Sequence, residues 1–201
     1  MNQRGRLAPT PTGFLHVGHA YTFGIAAERA AGKLILRVED LDATRCNPQF
    51  TTAAIDDLRW LGLSWTEGPD GEGDHGPYFQ SQRSDFYLQA WQRLAQQKNI
   101  YPSPQSRRDL ETAAFAPHVS NEGESVFPKN YRPNEWVVPE HPGRVPWRFR
   151  VPDGKTIQFV DKNFGLVQRV AGTDFGDFVV WRRDNLAAYE LAVVVDDYHM
   201  E

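Results

Sequence analysis

Two histidines and a glycine near the N-terminus are the residues whose types and spacing best suit chemistry on a phosphate group. His16 and His19 lie three positions apart and enclose Gly18. Imidazole nitrogens can donate hydrogen bonds to phosphate oxygens, and a glycine removes the side chain where a nucleotide would press against the backbone. An isolated H-x-x-H pair is better interpreted as surface or helix-capping residues, so the pair needs support from the elements around it.

The flanking sequence predicts the elements that would position these histidines. Arg6 to Ala8 is a short strand-like stretch that runs into the turn Pro9 to Gly13, and Gly18 to Ala31 has the pattern of a helix that stops at Gly32. Lys33 to Glu39 predicts a second strand. This order of elements builds a parallel sheet, and the turn presents unpaired backbone N–H groups and a positive helix end to an anion.

The middle of the chain predicts two further helices. One runs from about Phe50 to Leu61 and is closed by Gly62, and the other runs from Asp85 to about Gln97 with Ser84 as its N-cap. A glycine-rich acidic loop, Gly68 to Gly76, lies between them.

No single period dominates from Tyr101 to about Val145, which predicts an insertion. The runs that follow predict a small antiparallel patch, in which Trp147, Phe149 and Val151 alternate with arginines before Thr156 to Asp161 and Leu166 to Ala171. Phe178 to Trp181 predicts a buried strand that returns to the main sheet, and Ala187 to Tyr198 predicts a helix.

The composition is that of a soluble globular protein, with 40% hydrophobic, 12% aromatic and 24% charged residues. No run approaches the ~18 apolar residues of a membrane span, and the N-terminus lacks the apolar core of a secretory signal. We therefore expect a cytoplasmic protein with no membrane partner. Cys46 is the single cysteine, which excludes an intrachain disulfide and leaves too few thiolates for a cysteine-based zinc site.

The net charge of -4 gives no overall attraction for nucleic acid, so any RNA contact must be local. Three groups of arginines are candidates: Arg107 and Arg108; Arg144, Arg148 and Arg150; and Arg182 and Arg183. A solvated strand or helix face is the favoured alternative for each group.

The whole string RLAPTPTGFLHVGH, from Arg6 to His19, resembles the first motif of glutamyl-tRNA synthetases, in which His16 to His19 stand as the HIGH tetrapeptide. The resemblance leaves only about 108–145 poorly matched. It continues at RVEDLD from Arg37, QSQR from Gln80, DFVVWRRD from Asp177 and AYELAVVVDD from Ala188. Within this class I aminoacyl-tRNA synthetase family, the last string is most similar to the glutamyl-Q tRNA(Asp) synthetases, which attach glutamate to queuosine in tRNA(Asp).

The resemblance implies an α/β fold with a Rossmann-like parallel sheet and a small mixed insertion. Residues 1–100 would form the first half of the catalytic domain, residues 101–172 the insertion, and residues 173–201 the return to the catalytic sheet. It also implies a monomeric ligase that uses ATP as substrate, with Mg²⁺ on the nucleotide, to form glutamyl-adenylate and transfer glutamate to tRNA, in this subfamily tRNA(Asp).

The site residues follow from the same resemblance. ATP binding is implied for Pro9, Thr12, Gly13, His16, Gly18 and His19, with His16 and His19 as catalytic donors at the transition state. Glutamate binding is implied for Arg6, Ala8, Thr10, Glu39 and Tyr189. Arg6 and Tyr189 would face a substrate carboxylate, Thr10 would stand where the family usually has serine, and Glu39 would receive the ammonium.

Simpler interpretations exist for several of these residues. A glutamate pocket needs a cation and an anion, which Arg6 and Glu39 supply, but these two could instead form a salt bridge between neighbouring strand ends. Tyr189 could be a core aromatic residue of an amphipathic helix. Asp40 and Asp42 look like a paired-carboxylate site, yet adenylation needs none, so we interpret them as turn and helix-capping residues.

One departure from the subfamily concerns zinc. Many glutamyl-Q synthetases hold a zinc through a C-x-C pair, a tyrosine and a further cysteine, whereas the first two positions here are Ser103 and Gln105 and the later one falls near Tyr131. Hydroxyl, amide and phenol groups replace thiolates poorly around Zn²⁺. His118 and His141 are far apart and fit loop histidines better, so we predict no zinc.

A second departure is that the sequence stops before the second arginine-bearing motif and the KMSKS-like loop expected by resemblance, which puts turnover by these residues alone in doubt. Two alternatives therefore stay open. One is the N-terminal catalytic fragment of an ordinary glutamyl-tRNA synthetase. The other is a truncated paralogue that binds glutamate or nucleotide without turnover.

Overall fold

A computed structural model describes residues 4–30, 32–71, 73–105 and 126–200. The chain forms two compact units: Met1–Tyr87 together with Ala192–Glu201, and Leu88–Leu191. The first unit contains both predicted histidines and both candidate charged groups of the glutamate pocket. None of the described helices has the length and apolar character needed to cross a membrane.

The first unit has the predicted order of strand, turn, helix and strand. Strand β1 (Gly5–Leu7) pairs in parallel with β2 (Leu34–Leu36), and helix α1 (Val17–Arg29) connects them. Single parallel bridges from Ile35 to Glu67 and from Val38 to Phe79 extend the ladder. The prediction of an α/β fold with parallel strands is therefore confirmed.

Apolar side chains around β1 and β2 explain why these elements form here. Leu7, Leu34, Leu36 and Leu58 are almost fully buried in one cluster, against which the inner face of α1 packs through Phe23 and its neighbours. Every residue of β2 is buried, as expected for a parallel strand covered on both faces.

The helix boundaries follow from local chemistry. Helix α2 (Pro48–Trp60) begins two residues before the predicted start, because the Asn47 side chain caps it and Pro48 fits the first helical turn. The backbone is left-handed at Gly32 and Gly62, with φ of 85° and 78°, which accounts for the predicted stops after α1 and α2.

The second unit is built on an antiparallel sheet of three strands in the order β3 (Ile100–Pro102), β4 (Trp147–Phe149) and β7 (Phe178–Trp181). The prediction that 178–181 returns to the main parallel sheet is wrong, because its hydrogen-bonded neighbour is β4. A short apolar run predicts a buried strand but carries no information about its partner. The domain bounds at 101 and 173 stay predictions.

Three tryptophans fill the core of the second unit. The Trp91 ring meets that of Trp147 edge-on at 5.0 Å between centroids and that of Trp181 at 6.3 Å. Trp91 belongs to helix α3 (Ser84–Gln96), which begins at the residue predicted as its cap. Large aromatic pairs of this kind contribute beyond the area that they bury.

The predicted antiparallel patch also contains a hairpin of β5 (Thr156–Asp161) and β6 (Gly165–Val170), whose six residue pairs are in register. Between β3 and β4, only a 3-10 turn at Lys129–Tyr131 interrupts irregular backbone among the described residues. The predicted last helix is α4 (Tyr189–Met200).

Candidate active site

His16 and His19 form a paired structure at the start of α1. His16 is the N-cap, and its Nδ1 accepts the backbone N–H of Gly18 at 3.1 Å. His19 Nδ1 accepts the backbone N–H of His16, also at 3.1 Å. The two rings lie 3.9 Å apart between centroids. Both imidazoles are thus held by the backbone donors that a helix start leaves unpaired.

These contacts determine where the imidazole protons lie. Because Nδ1 of each histidine accepts a hydrogen bond, the proton of the neutral ring belongs on Nε2. His16 is exposed and His19 is half-buried. Each ring therefore presents an Nε2–H donor, the group needed to bind a phosphate oxygen, beside the positive end of α1.

The environment keeps His19 neutral. Burial is the largest cause that lowers the pKa of His19 below its usual value, and the nearby His16 ring lowers it further. His19 thus acts as a neutral hydrogen-bond donor at neutral pH rather than as a positive charge.

Gly18 is required by the His16 ring. A Cβ atom at Gly18 would lie 2.9 Å from His16 Cε1 and 3.0 Å from His16 Nδ1, closer than real side chains approach. Gly18 is therefore needed so that the His16 ring can cap α1. From the sequence alone, we expected this glycine to make room for a nucleotide.

The turn before α1 is fixed by neighbouring backbone. The Pro9 carbonyl accepts the N–H of Glu39 at 2.9 Å, and the Pro11 carbonyl accepts the N–H of Asn47 at 3.0 Å. Pro9 and Pro11 are buried, while Thr10 and Thr12 are exposed and Gly13 has open space where a side chain would lie. This surface is free to meet a ligand. Ala8, half-buried, follows β1 directly.

Glu39 lies at the carboxyl end of β2 and is held by a buried arginine. Arg37 Nη2 donates to Glu39 Oε1 at 2.8 Å, and the Arg37 side chain is fully buried. Glu39 is itself buried, with 8% exposure, so its carboxylate is held by Arg37 with little contact with solvent.

Arg6 pairs with Asp197 of α4 instead of Glu39. Its Nη1 donates to Asp197 Oδ1, which also accepts Arg37 Nη1 at 2.8 Å. Burial would raise the pKa of Asp197, but the hydrogen bonds from Arg6 and Arg37 lower it overall. The expected alternative of a direct Arg6–Glu39 salt bridge is replaced by an alternating chain, Glu39–Arg37–Asp197–Arg6.

Asp196 lies next to Arg37 and holds this series of charged side chains in place. Its carboxylate accepts Arg83 Nε at 2.7 Å, Gln80 Nε2 at 2.8 Å and the Tyr87 hydroxyl at 3.0 Å. Arg37 Nε lies 3.6 Å from Asp196 Oδ2. Asp196 is fully buried, and its partners come from two separate segments, Arg37 and residues 80–87, so it fixes Arg37 against the rest of the first unit.

Sequence reasoning assigned no role to Arg37, Asp196 or Asp197. The signal was present, because Arg37 follows the apolar run LIL and the two aspartates follow AVVV. Charged residues within apolar segments are rarely buried unless they are paired.

Tyr189, the remaining candidate, is the first residue of α4 and is 61% exposed. Such exposure does not fit the alternative of a core aromatic residue. Its part in glutamate binding stays a prediction.

Asp40 and Asp42 have structural partners. Asp40 accepts the Ser81 N–H at 2.9 Å and the Ser81 hydroxyl at 2.6 Å, so it caps the 3-10 turn Gln80–Gln82 from a distant segment. Asp42 accepts the Thr44 hydroxyl at 2.6 Å, and its carbonyl accepts the N–H of Arg45.

Two of the three positions considered for zinc ligands are bonded to each other. Ser103 donates its hydroxyl to Gln105 Oε1 at 2.9 Å and accepts Arg148 Nε at 3.2 Å. Tyr131 ends the 3-10 turn with its ring 6.0 Å from that of Phe127. Within the described ranges no group of three or more His, Cys, Asp or Glu residues could hold a metal ion. His118 lies outside those ranges.

The arginines considered for RNA contact divide into different kinds. Arg148 is engaged inside its unit, where it also donates to the Asp177 carbonyl at 2.9 Å. Arg150 donates to the Pro133 carbonyl at 3.0 Å, and Arg183 donates to the Pro104 carbonyl at 3.1 Å. Arg182 pairs with Asp184 on the surface. Arg144 is exposed, whereas Arg107 and Arg108 lie outside the described residues.

Comparison with known proteins finds relatives that match nearly the whole chain. The glutamyl-Q tRNA(Asp) synthetase of Symbiobacterium thermophilum is 47% identical over 201 residues, which cover 96% of this chain and 61% of that protein. The protein of the same description from Nitratidesulfovibrio vulgaris is 44% identical over 204 residues, covering 98% of this chain and 62% of that protein. The chain thus spans about three-fifths of the length of these curated relatives.

A solved structure has the same fold. The glutamate tRNA ligase of Elizabethkingia meningosepticum, determined in complex with its amino acid, superimposes with a TM-score of 0.77 at 26% identity. The match covers 100% of this chain and 42% of that one.

The family model for the catalytic domain of class I tRNA synthetases (E and Q) matches residues 3–201. The matched range contains the paired histidines, the turn before them and the chain of charges from Glu39 to Arg6. The chain therefore belongs to the class I tRNA synthetase family (E and Q), and its residues are those of the catalytic domain.

Proposed function

We propose that this chain binds ATP and glutamate, forms glutamyl-adenylate, and belongs to an enzyme that transfers glutamate to queuosine of tRNA(Asp). The observation that carries the proposal is the histidine pair, whose two Nε2–H donors lie at the positive start of α1. The two relatives at 47% and 44% identity support queuosine as the acceptor.

The first step is displacement at the α-phosphorus of ATP. A carboxylate oxygen of glutamate attacks that phosphorus, the bond to the bridging oxygen breaks, and pyrophosphate leaves with the electron pair. Negative charge grows on the phosphate oxygens, and preorganised donors stabilise it. His16 and His19 supply these donors, while the turn at 9–13, in which Thr10 and Thr12 are exposed, receives the nucleotide beside them.

Mg²⁺ fits this site only through the nucleotide. The groups beside the histidines are hydroxyls and backbone amides, whereas Mg²⁺ prefers carboxylate, phosphate and water oxygens. Bound to the pyrophosphate, the ion would neutralise part of its charge. The chain's own residues bind and orient the nucleotide.

Glutamate binding requires opposite charges at a fixed separation. Glu39 receives the ammonium and Arg6 receives a carboxylate, with Ala8, Thr10 and Tyr189 completing the pocket by resemblance. The bonds of Glu39 to the ammonium and of Arg6 to the carboxylate are both charge-assisted, and such bonds are stronger than neutral hydrogen bonds. In the second step a nucleophile of the RNA attacks the activated carboxyl carbon, and AMP leaves. We further propose that the parallel sheet under this site is Rossmann-like and that the protein acts as a cytoplasmic monomer.

The test begins with binding, because the chain spans about three-fifths of its relatives. Calorimetry with L-glutamate and with ATP measures the two sites separately, and glutamate-dependent exchange of pyrophosphate into ATP measures adenylation. Exchange that is lost in His16→Ala and Glu39→Ala but kept in Arg59→Lys, a surface change, supports the proposal. Binding without exchange favours a non-catalytic paralogue, and no binding of either ligand contradicts both.

A second candidate is an ordinary glutamate–tRNA ligase, which the match to the Elizabethkingia enzyme favours. Three RNAs separate the candidates: queuosine-containing tRNA(Asp), the same tRNA without queuosine, and tRNA(Glu). Charging of the first alone supports the glutamyl-Q assignment, and charging of tRNA(Glu) alone supports the ordinary ligase.

A further inference from the structure

We propose that Arg37 is a positioning residue that sets the separation between the two charged ends of the amino-acid pocket. The inference rests on the proposed function, in which Glu39 binds the ammonium and Arg6 a carboxylate. Arg37 itself is fully buried. It acts on Glu39 directly and on Arg6 through Asp197.

The Arg37 guanidinium bridges two carboxylates. Arg37 Nη2 donates to Glu39 Oε1 and Arg37 Nη1 donates to Asp197 Oδ1, both at 2.8 Å. The same Asp197 oxygen accepts Arg6 Nη1. A planar guanidinium has its two terminal nitrogens in a rigid fork, so the positions of Glu39 and Asp197 are fixed relative to each other.

The four side chains Glu39, Arg37, Asp197 and Arg6 alternate in charge. The two at the ends of this series, Glu39 and Arg6, are the proposed ligand-binding groups. Glu39 and Arg6 each have a neighbour of opposite charge on the inner side, and the Arg6 side chain is 35% exposed. Burial would lower the pKa of Arg37, but its bonds to Glu39 and Asp197 raise it overall, so the bridging cation stays charged.

Asp196 further restrains the orientation of Arg37. It lies 3.6 Å from Arg37 Nε and is itself held by Arg83, Gln80 and Tyr87. Among the described residues Arg37 Nε has no hydrogen-bond partner, so Asp196 acts on it as a charge. The contacts of Nη1, Nη2 and Nε thus favour the same orientation of the guanidinium.

The test measures dissociation constants by calorimetry for L-glutamate and for glutarate, which has both carboxylates but no ammonium. Arg37→Lys replaces the fork with one ammonium, which cannot hold both carboxylates in the same geometry. We expect the dissociation constant for L-glutamate to rise by at least about tenfold, the effect of losing a charged hydrogen bond. The rise for glutarate should be smaller, because only the Arg6 end contributes.

Asp197→Asn provides a second variant in case Arg37→Lys fails to fold, since Asp197 is 40% exposed. It acts mainly at the Arg6 end, because Glu39 keeps its own bond to Arg37 Nη2. L-glutamate and glutarate should therefore lose affinity by similar factors. The matched control is Arg59→Lys, which changes an arginine paired with Asp70 on the surface and should leave both constants unchanged.

Equal losses for both ligands in Arg37→Lys, or no loss in a folded variant, would overturn the positioning role. If Arg37→Lys does not fold, the Asp197→Asn variant decides. Wild-type affinity of this variant for both ligands would also overturn the positioning role. If wild type binds neither ligand, the proposed function fails instead, so the two failures are distinguishable. ATP affinity should stay unchanged in Arg37→Lys, which a general loss of structure would not permit.

Discussion

His16 and His19 hold each other at the start of α1, with ring centroids 3.9 Å apart and the His16 backbone N–H donating to His19 Nδ1. The same two residues cap the helix and present the donors proposed to bind ATP. Structure and function therefore depend on the same atoms, and substitutions must be chosen to separate them.

Replacement of His16 by asparagine should separate the cap from the chemistry. Asparagine is a good N-cap, so His16→Asn should keep the stability of the fold, whereas His16→Ala should lose about 1 kcal/mol. Both variants lack the Nε2–H donor and should lose pyrophosphate exchange by about 10²-fold or more. Chemical denaturation and exchange assays measure the two effects. Exchange retained in His16→Asn would show that the His16 imidazole is not a catalytic donor.

The pH dependence follows from the lowered pKa of His19. A histidine whose pKa is lower in the folded state contributes stability that is complete above its usual value of 6.5 and is lost as the pH falls through the lowered value. NMR of the imidazole nitrogens should show a midpoint for His19 below 6.5 and a proton on Nε2 at neutral pH. In His16→Asn the midpoint of His19 should rise, because the His16 ring, one of the two causes that lower the pKa of His19, is removed. A midpoint above 6.5 in wild type would contradict this account.

Substitution of two glycines in α1 gives a matched comparison. Gly18→Ala places a Cβ 2.9 Å from the His16 ring and should displace it, raising KM for ATP and weakening the cap. Gly24→Ala has nothing within 4 Å of the new atom and should stabilise the helix by about 0.5–1 kcal/mol without changing KM. Equal KM values in the two variants would indicate that the His16 ring does not need its observed position.

Removal of Asp196 should be severe. Asp196→Ala leaves Arg37 and Arg83 buried without their shared carboxylate, and breaking a buried ion pair costs about 3–5 kcal/mol. The surface pair of Arg182 and Asp184 provides the comparison, because Asp184→Ala should cost at most about 1 kcal/mol. Denaturant midpoints measure both. Similar losses would mean that Asp196 is not the anchor described above.

The sequence predicts the strand, turn, helix and strand of the first unit because each element has a local signal. Pro9 to Gly13 has turn residues, Gly32 has the conformation of a helix stop, and β2 is wholly apolar. The partner of 178–181 could not be predicted, since pairing with β4 depends on contacts between distant segments. For the same reason the sequence indicated that Arg6 and Glu39 carry suitable charges but not that Arg37 and Asp197 lie between them.

The bond between Arg6 and Asp197 joins residues 191 positions apart, and that between Arg37 and Asp197 spans 160. Contacts of such separation form late in folding, because the loop entropy must be overcome before the contact contributes. During synthesis the paired histidines can form as soon as α1 emerges from the ribosome, whereas the charge on Arg6 lacks its partner until residue 197 has been made. The proposed nucleotide end of the site thus depends on contacts between residues three positions apart, whereas the proposed amino-acid end requires a contact between residues 6 and 197.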